Sequence, residues 1–187
     1  MSSRNGRERS PNPRYPKRRR VICIATEGKN DEPEYFSHLQ SLLKDYHFNI
    51  KSCDHKSDVS HVLKRIESLI KTSDACDYWA IFDTDEQIDQ IKKYLPQFEE
   101  KNIKAGISNP CFEVWLLNHF TNSTKHFRDS QECKKTWKSL NKSVSMITLL
   151  EIDTAIRNCQ NHTLPIPDES QTTIHSLVQS ILTQRSS

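Results

Sequence analysis

At 187 residues and 34% hydrophobic content, the chain is long enough for one domain with a real core, yet no apolar run approaches the roughly 18 residues a membrane span needs. Its six cysteines (Cys23, Cys53, Cys76, Cys111, Cys133, Cys159) form no CxxC pair and read as reduced thiols in a cytoplasmic protein. The net charge of +3 hides an asymmetry: residues 1–20 carry eight Lys/Arg against Glu8 alone, so the remainder is net acidic at −4.

That basic stretch is rich in Ser and Pro and poor in large apolar groups, which predicts a disordered tail over residues 1–19. Such an arm binds polyanions by releasing counterions, and serves equally well as a plain solubilising tail. It lacks an apolar stretch behind it and does not read as a secretory signal.

Val21-Ile22-Cys23-Ile24-Ala25 is uncharged and β-branched, which predicts a buried strand. Thr26-Glu27-Gly28-Lys29-Asn30 reads as a turn, with Gly28 tolerant of positive φ. Pro33 suits the first turn of a helix, with Asp31, Glu32 and Glu34 at its positive dipole end; Tyr35, Leu39, Leu42 and Tyr46 recur at helical spacing. Residues 47–51 alternate weakly, as a short edge strand does. Ser57 or Asp58 caps a second helix with Val59, Val62, Ile66, Leu69 and Ile70 on one face.

Residues 78–82 are largely apolar, a strand buried on both faces, and run straight into Asp83-Thr84-Asp85-Glu86. A third helix is expected over about 86–99, with Ile88, Ile91, Leu95 and Phe98 inward, and a fourth strand over 103–107. Asn109 as N-cap and Pro110 at the first helical position predict a helix that is apolar nearly all round to Phe120, with His119 a dipole partner at its end. Residues 121–130 are loop-like. Helical patterns then cover about 131–139, 145–160 and 171–184, with Leu164-Pro165-Ile166-Pro167 as a break and Ile174, Leu177, Val178 and Ile181 on one face of the last.

The alternation of strand and helix through residue 107 predicts an α/β fold with parallel strands. The division expected is a tail over 1–19, an α/β core over 20–120 and a helical extension over 121–187 packed on it. In a doubly wound sheet the first and third strands lie side by side at the switch point, where ligands bind at the carboxyl edge. Glu27 would then meet Asp83 and Asp85, and Glu113 opens at the same edge. Acids crowded together need a cation or a proton between them, and an oxygen-only set favours Mg²⁺ or Mn²⁺. Taken alone, the Asp83-Thr84-Asp85-Glu86 run also suits helix capping, and Glu27 and Glu113 suit a turn and a first helical turn. The chain has no GxxxxGK[ST] loop and no GxSxG elbow, and Cys53-Asp54-His55 with His61 lacks a second ligand pair for zinc.

The Glu-Gly turn after a first strand and the apolar strand ending in DxD match the Toprim pattern of topoisomerases, primases and OLD-type nucleases. Three blocks resemble the RloB-like family, in that family's order and spacing: residues 26–36 (TEGKNDEPEYF), 79–86 (WAIFDTDE) and 108–117 (SNPCFEVWLL). The resemblance covers roughly residues 18–185. It implies a Toprim-like parallel sheet with flanking helices and a C-terminal helical extension. It also implies a Mg²⁺-dependent nuclease-like activity in anti-phage defence or restriction-linked systems, often beside an AAA/ABC-type ATPase partner. By carry-over, Glu27 matches the catalytic glutamate, Asp83 and Asp85 the metal-binding pair, Glu113 an additional metal ligand and Asn109 a loop or phosphate contact. Lys29, Arg18, Arg19 and Arg20 are the further candidate contacts to DNA or RNA.

The leading expectation is therefore a metal-dependent nuclease. The alternative is a non-catalytic sensor or adaptor that binds the ATPase through Trp115, Phe120 and the C-terminal helices. A receiver-like phosphoacceptor ranks last, because it needs paired acids after the first strand and a lysine ending a fifth.

Overall fold

The computed structural model describes residues 19–53, 58–85, 87–122 and 126–185. The predictions for the basic tail through Arg18, and those resting on Asp54, His55, Ser57 and Glu86, lie outside them.

Strand and helix alternate as expected: β1 (Arg20–Thr26), α1 (Asp31–Leu42), β2 (Tyr46–Ser52), α2 (Val59–Thr72), β3 (Asp77–Asp83), α3 (Ile88–Glu100) and β4 (Lys104–Ser108). Among the described residues four more helices follow, α4 (Glu113–Asn118), α5 (Ser130–Ser139), α6 (Leu149–Cys159) and α7 (Ile174–Arg185), with a 3-10 turn at Val144–Met146. The strands are all parallel, in the order β2-β1-β3-β4. The chain thus moves outward from β1 to β2, then crosses back to β3, which makes the β1–β3 junction the switch point.

Alternating side chains of the strands feed two cores. Ile22, Ile24, Trp79 and Ile81 face one side, covered by α1, α4, α5, α6 and α7. Cys23, Ala25, Ala80, Phe82 and Ile107 face the other, covered by α2 and α3. The amphipathic α2 shows why: Val59, Val62, Leu63, Ile66 and Leu69 are buried, each contributing about 1.5–3 kcal/mol of transfer free energy. The Asp58 carboxylate caps it, accepting from the His61 N–H at 3.1 Å.

Four local expectations are corrected. Tyr46 does not extend the first helix; it opens β2, its ring beneath the Arg20 guanidinium at 5.9 Å and its hydroxyl donating to the Ile181 carbonyl at 3.2 Å. Ile88 lies at the exposed start of α3, leaving Ile91 and Phe98 to bury that helix. Asn109 does not cap a helix: the Asn109–Pro110 peptide is cis and α4 starts only at Glu113. The Asn109 carboxamide is engaged elsewhere, accepting from Thr84 Oγ1 at 2.9 Å and donating to the Pro167 carbonyl at 3.3 Å. His119 is not a charged dipole partner. It is buried, bonded to the Trp115 carbonyl through Nδ1 at 2.9 Å, and its burial pulls the imidazole down to about 4, so it is neutral.

All six cysteines are free thiols, and only Cys76 is exposed. No helix among the described residues is long and apolar enough to cross a membrane.

Candidate functional site

β1 and β3 end side by side, with Thr26 registered against Ile81. Glu27 follows β1, its N–H donating to the Ile81 carbonyl at 3.0 Å. Its carboxylate turns across the strand ends and accepts from the Asp83 backbone N–H at 3.2 Å and from Gln87 Nε2 at 3.2 Å. Asp83 ends β3. Its Oδ1 is sealed from solvent and accepts no hydrogen bond among the described residues.

Beyond it, Asp85 sits at φ 33°, in the left-handed region, and accepts from Ser130 Oγ at the start of α5. Thr84, between them, points into the protein, donating to Asn109 as described and anchored by its N–H to the Ser108 carbonyl at 2.8 Å. Glu113, the first residue of α4, is buried at the same edge.

These groups open on one cavity of about 500 Å³, lined among others by Glu27, Lys29, Glu32, Asp83, Asp85, Glu113 and Lys134. The structure thus brings together Glu27, Asp83, Asp85, Glu113 and Lys29 as the sequence suggests. It does not bring Asn109 into the lining; that residue positions the loop behind it. Arg19 and Arg20 lie at the opposite end of β1, about 20 Å along a seven-residue strand, and Arg18 lies outside the described residues. Trp115, expected on an adaptor surface, is fully buried, and Phe120 stacks on Trp137 at 6.0 Å.

Glu32 and Lys134 are among the lining residues that the sequence did not single out. Glu32 reads in the sequence as one of several acids at a helix start, but it is buried, and its Oε1 accepts from the Gly28 N–H at 3.1 Å. This contact is what Gly28 serves. Its φ is not positive; a Cβ there would stand 2.2 Å from the Glu32 carboxylate. Lys134 comes from α5, beyond the irregular segment after α4, so nothing in its local pattern ties it to the strand ends.

The electrostatics follow from crowding. Burial raises Glu27, opposed by its hydrogen bonds and reinforced by Asp85. Burial, then Glu32, Glu27 and Glu113, push Asp83 well above the ordinary carboxylate range. Glu32 is pushed up to about 7, by burial first and then by Glu113 and Asp31. Glu113 is raised by burial as well. Burial alone would pull the Lys134 ammonium down, but Glu113, Cys111, Asp83 and Asp85 outweigh it, and its pKa stands above the ordinary lysine value. Carboxylates so raised are poised to exchange protons for a cation.

A hard cation suits the carboxylates of this lining, which include the Oδ1 of Asp83, unpartnered among the described residues. Among the described residues, no three of these acids bring one oxygen each within 4.8 Å of one another. A cation placed in so open a pocket would meet only one or two carboxylates at once and would complete its shell with water or substrate, which is the Mg²⁺ habit rather than a closed cage.

No curated protein and no solved structure matches the chain. Over residues 22–181, from the first strand into the last helix and through every residue of the pocket, the sequence matches the family described as RloB-like protein, and the chain belongs to that family.

Proposed function

We propose that this protein is a Mg²⁺- or Mn²⁺-dependent nuclease that hydrolyses phosphodiester bonds of DNA or RNA in the cytoplasm. The observation that carries the reading is the Asp83 carboxylate: half-buried at a sheet switch point, its Oδ1 sealed from solvent and without a hydrogen-bond partner among the described residues, in a cavity shared with Glu27, Glu32, Asp85, Glu113 and Lys134. Asp83 and Asp85 would hold the cation, with Glu113 and Glu27 beside them. Bound there, it supplies charge neutralisation at the phosphoryl oxygens and an acidified water.

The chain's own groups do the rest. Glu27, oriented by the Asp83 N–H and Gln87, and raised by burial, takes or returns a proton through a carboxylate oxygen. Lys134 and Lys29 offer positive charge to the phosphate. The basic residues near the N-terminus add sequence-independent attraction for the backbone. A setting in phage defence or restriction, with an AAA/ABC-type ATPase partner, is supported by the family resemblance.

The test is cleavage of labelled plasmid DNA and of total RNA, with Mg²⁺ and with chelator, by the wild-type chain and by Asp83→Asn/Asp85→Asn. The reading expects Mg²⁺-dependent cleavage reduced at least about 10³-fold in the double variant, with the circular dichroism spectrum unchanged. Equal cleavage by both proteins would end it.

A further inference from the structure

A second cluster of metal-binding side chains lies away from the carboxylate pocket. Cys159, His162 and His175 each present one ligand atom, and all three atoms lie within 4.8 Å of one another. Cys159 is the last residue of α6, His162 follows one turn later, its N–H bonded to the Cys159 carbonyl at 2.9 Å, and His175 is the second residue of α7. Cys159 and His175 are buried, while His162 is half-buried and leaves a route to solvent.

Both rings turn their Nδ1 to one backbone carbonyl. His162 Nδ1 lies 3.2 Å and His175 Nδ1 3.0 Å from the same acceptor, the Thr172 carbonyl. An imidazole that donates Nδ1–H to a backbone carbonyl keeps its Nε2 lone pair for a metal, the arrangement in which protein ligands hold histidines on zinc. The Thr172 N–H also lies 3.1 Å from His162 Nδ1, so His162 has two tautomers open to it, and coordination through Nε2 selects the one that donates to Thr172. The Cys159 thiol is buried and free of a disulfide, and it makes no hydrogen bond among the described residues.

We propose that Cys159, His162 and His175 bind one Zn²⁺. One thiolate and two imidazoles suit zinc rather than the hard cation of the acid pocket, and three protein ligands leave a fourth, tetrahedral position to water. On binding, the thiol proton leaves to solvent and the Cys159 sulfur takes the metal in its place.

The ion would pin the end of α6 to the start of α7. Between them lies Thr172, which bridges antiparallel to Ser108 at the end of β4. Next to it, the Gln171 carbonyl accepts from the Asn109 N–H at 2.9 Å. Zinc would therefore brace the segment that carries Asn109 toward the carboxylate pocket, a structural role distinct from the chemistry there.

The full chain, stripped with a strong chelator and dialysed against Zn²⁺, should retain one equivalent by elemental analysis. His162→Gln and Cys159→Ser should each weaken retention at least tenfold. Co²⁺ in place of Zn²⁺ should give a thiolate-to-metal charge-transfer band that Cys159→Ser abolishes. His162 is half-buried, so its Gln variant decides the matter should Cys159→Ser fail to fold. Wild-type protein that retains no Zn²⁺, or a band and stoichiometry unchanged in the ligand variants, would overturn the proposal.

Discussion

At the residue scale, the pocket is an exercise in placing like charges together. Asp83 has one oxygen sealed from solvent without a donor among the described residues, and Glu32 is pressed against the Gly28 turn so closely that a methyl group would displace it. Asp83, Asp85, Glu27 and Glu113 could be named from the sequence because each sits at the end of an apolar strand or the start of an apolar helix. Glu32 could not: three acids in one helical turn read as dipole partners, and only the turn geometry singles one out for burial. Lys134 was out of reach for another reason. Its position depends on where an irregular segment returns the chain, and no local pattern encodes that. Lys134 is the cation opposite the acids, so Lys134→Met should lower the single-turnover cleavage rate about 10²-fold while shifting stability by no more than about 0.5 kcal/mol, and Lys134→Arg should recover part of the rate. A rate unchanged by Met would remove Lys134 from the chemistry.

At the element scale, strong periodicity gave the right helices and weak local rules gave the wrong ends. The apolar face of α7 is buried as read, and that of α2 is too except for Ile70, which is half-buried. The Asn-Pro pair, by contrast, is a good helix start in isolation, but tertiary hydrogen bonds to Thr84 and Pro167 claim the Asn109 side chain first. Tyr46 fits a helical spacing, yet the chain turns after Leu43, and Tyr46 gains both a cation above its ring and a carbonyl for its hydroxyl by joining β2. The seating of α7 on β4 depends on Gly106, where a Cβ would lie 2.7 Å from Ile81 Cδ1 and 2.8 Å from Leu177 Cδ1. Gly106→Ala should therefore destabilise the fold by about 1–3 kcal/mol in urea denaturation, and pairing it with Leu177→Ala should cost less than the two changes summed. Strict additivity would mean that α7 does not meet the sheet there.

At the scale of the whole molecule, the alternation of strands and helices sufficed to predict a parallel sheet with Glu27 and Asp83 at adjoining strand ends. It could not say which face each C-terminal helix covers, since one all-apolar helix and three amphipathic ones in series pack equally well on paper in several arrangements. What the topology assembles is a fold that carries its own electrostatic penalty at the switch point. Glu32 has a folded pKa of about 7 against an ordinary 4.5, so the folded chain binds the extra proton between those values. Stability is then lost as pH rises through that window, by up to about 3 kcal/mol from this group, with Asp83, Glu27 and Glu113 acting in the same direction.

A divalent cation in the pocket would remove that penalty, which makes thermal unfolding of the wild-type chain between about pH 5 and about pH 8, with and without Mg²⁺, the most direct test. Without Mg²⁺ the melting temperature should fall as pH rises; saturating Mg²⁺ should restore about 1–3 kcal/mol at the upper end and little at the lower, and Asp83→Asn should abolish the response to Mg²⁺. A melting temperature indifferent to Mg²⁺ across that range would contradict the account.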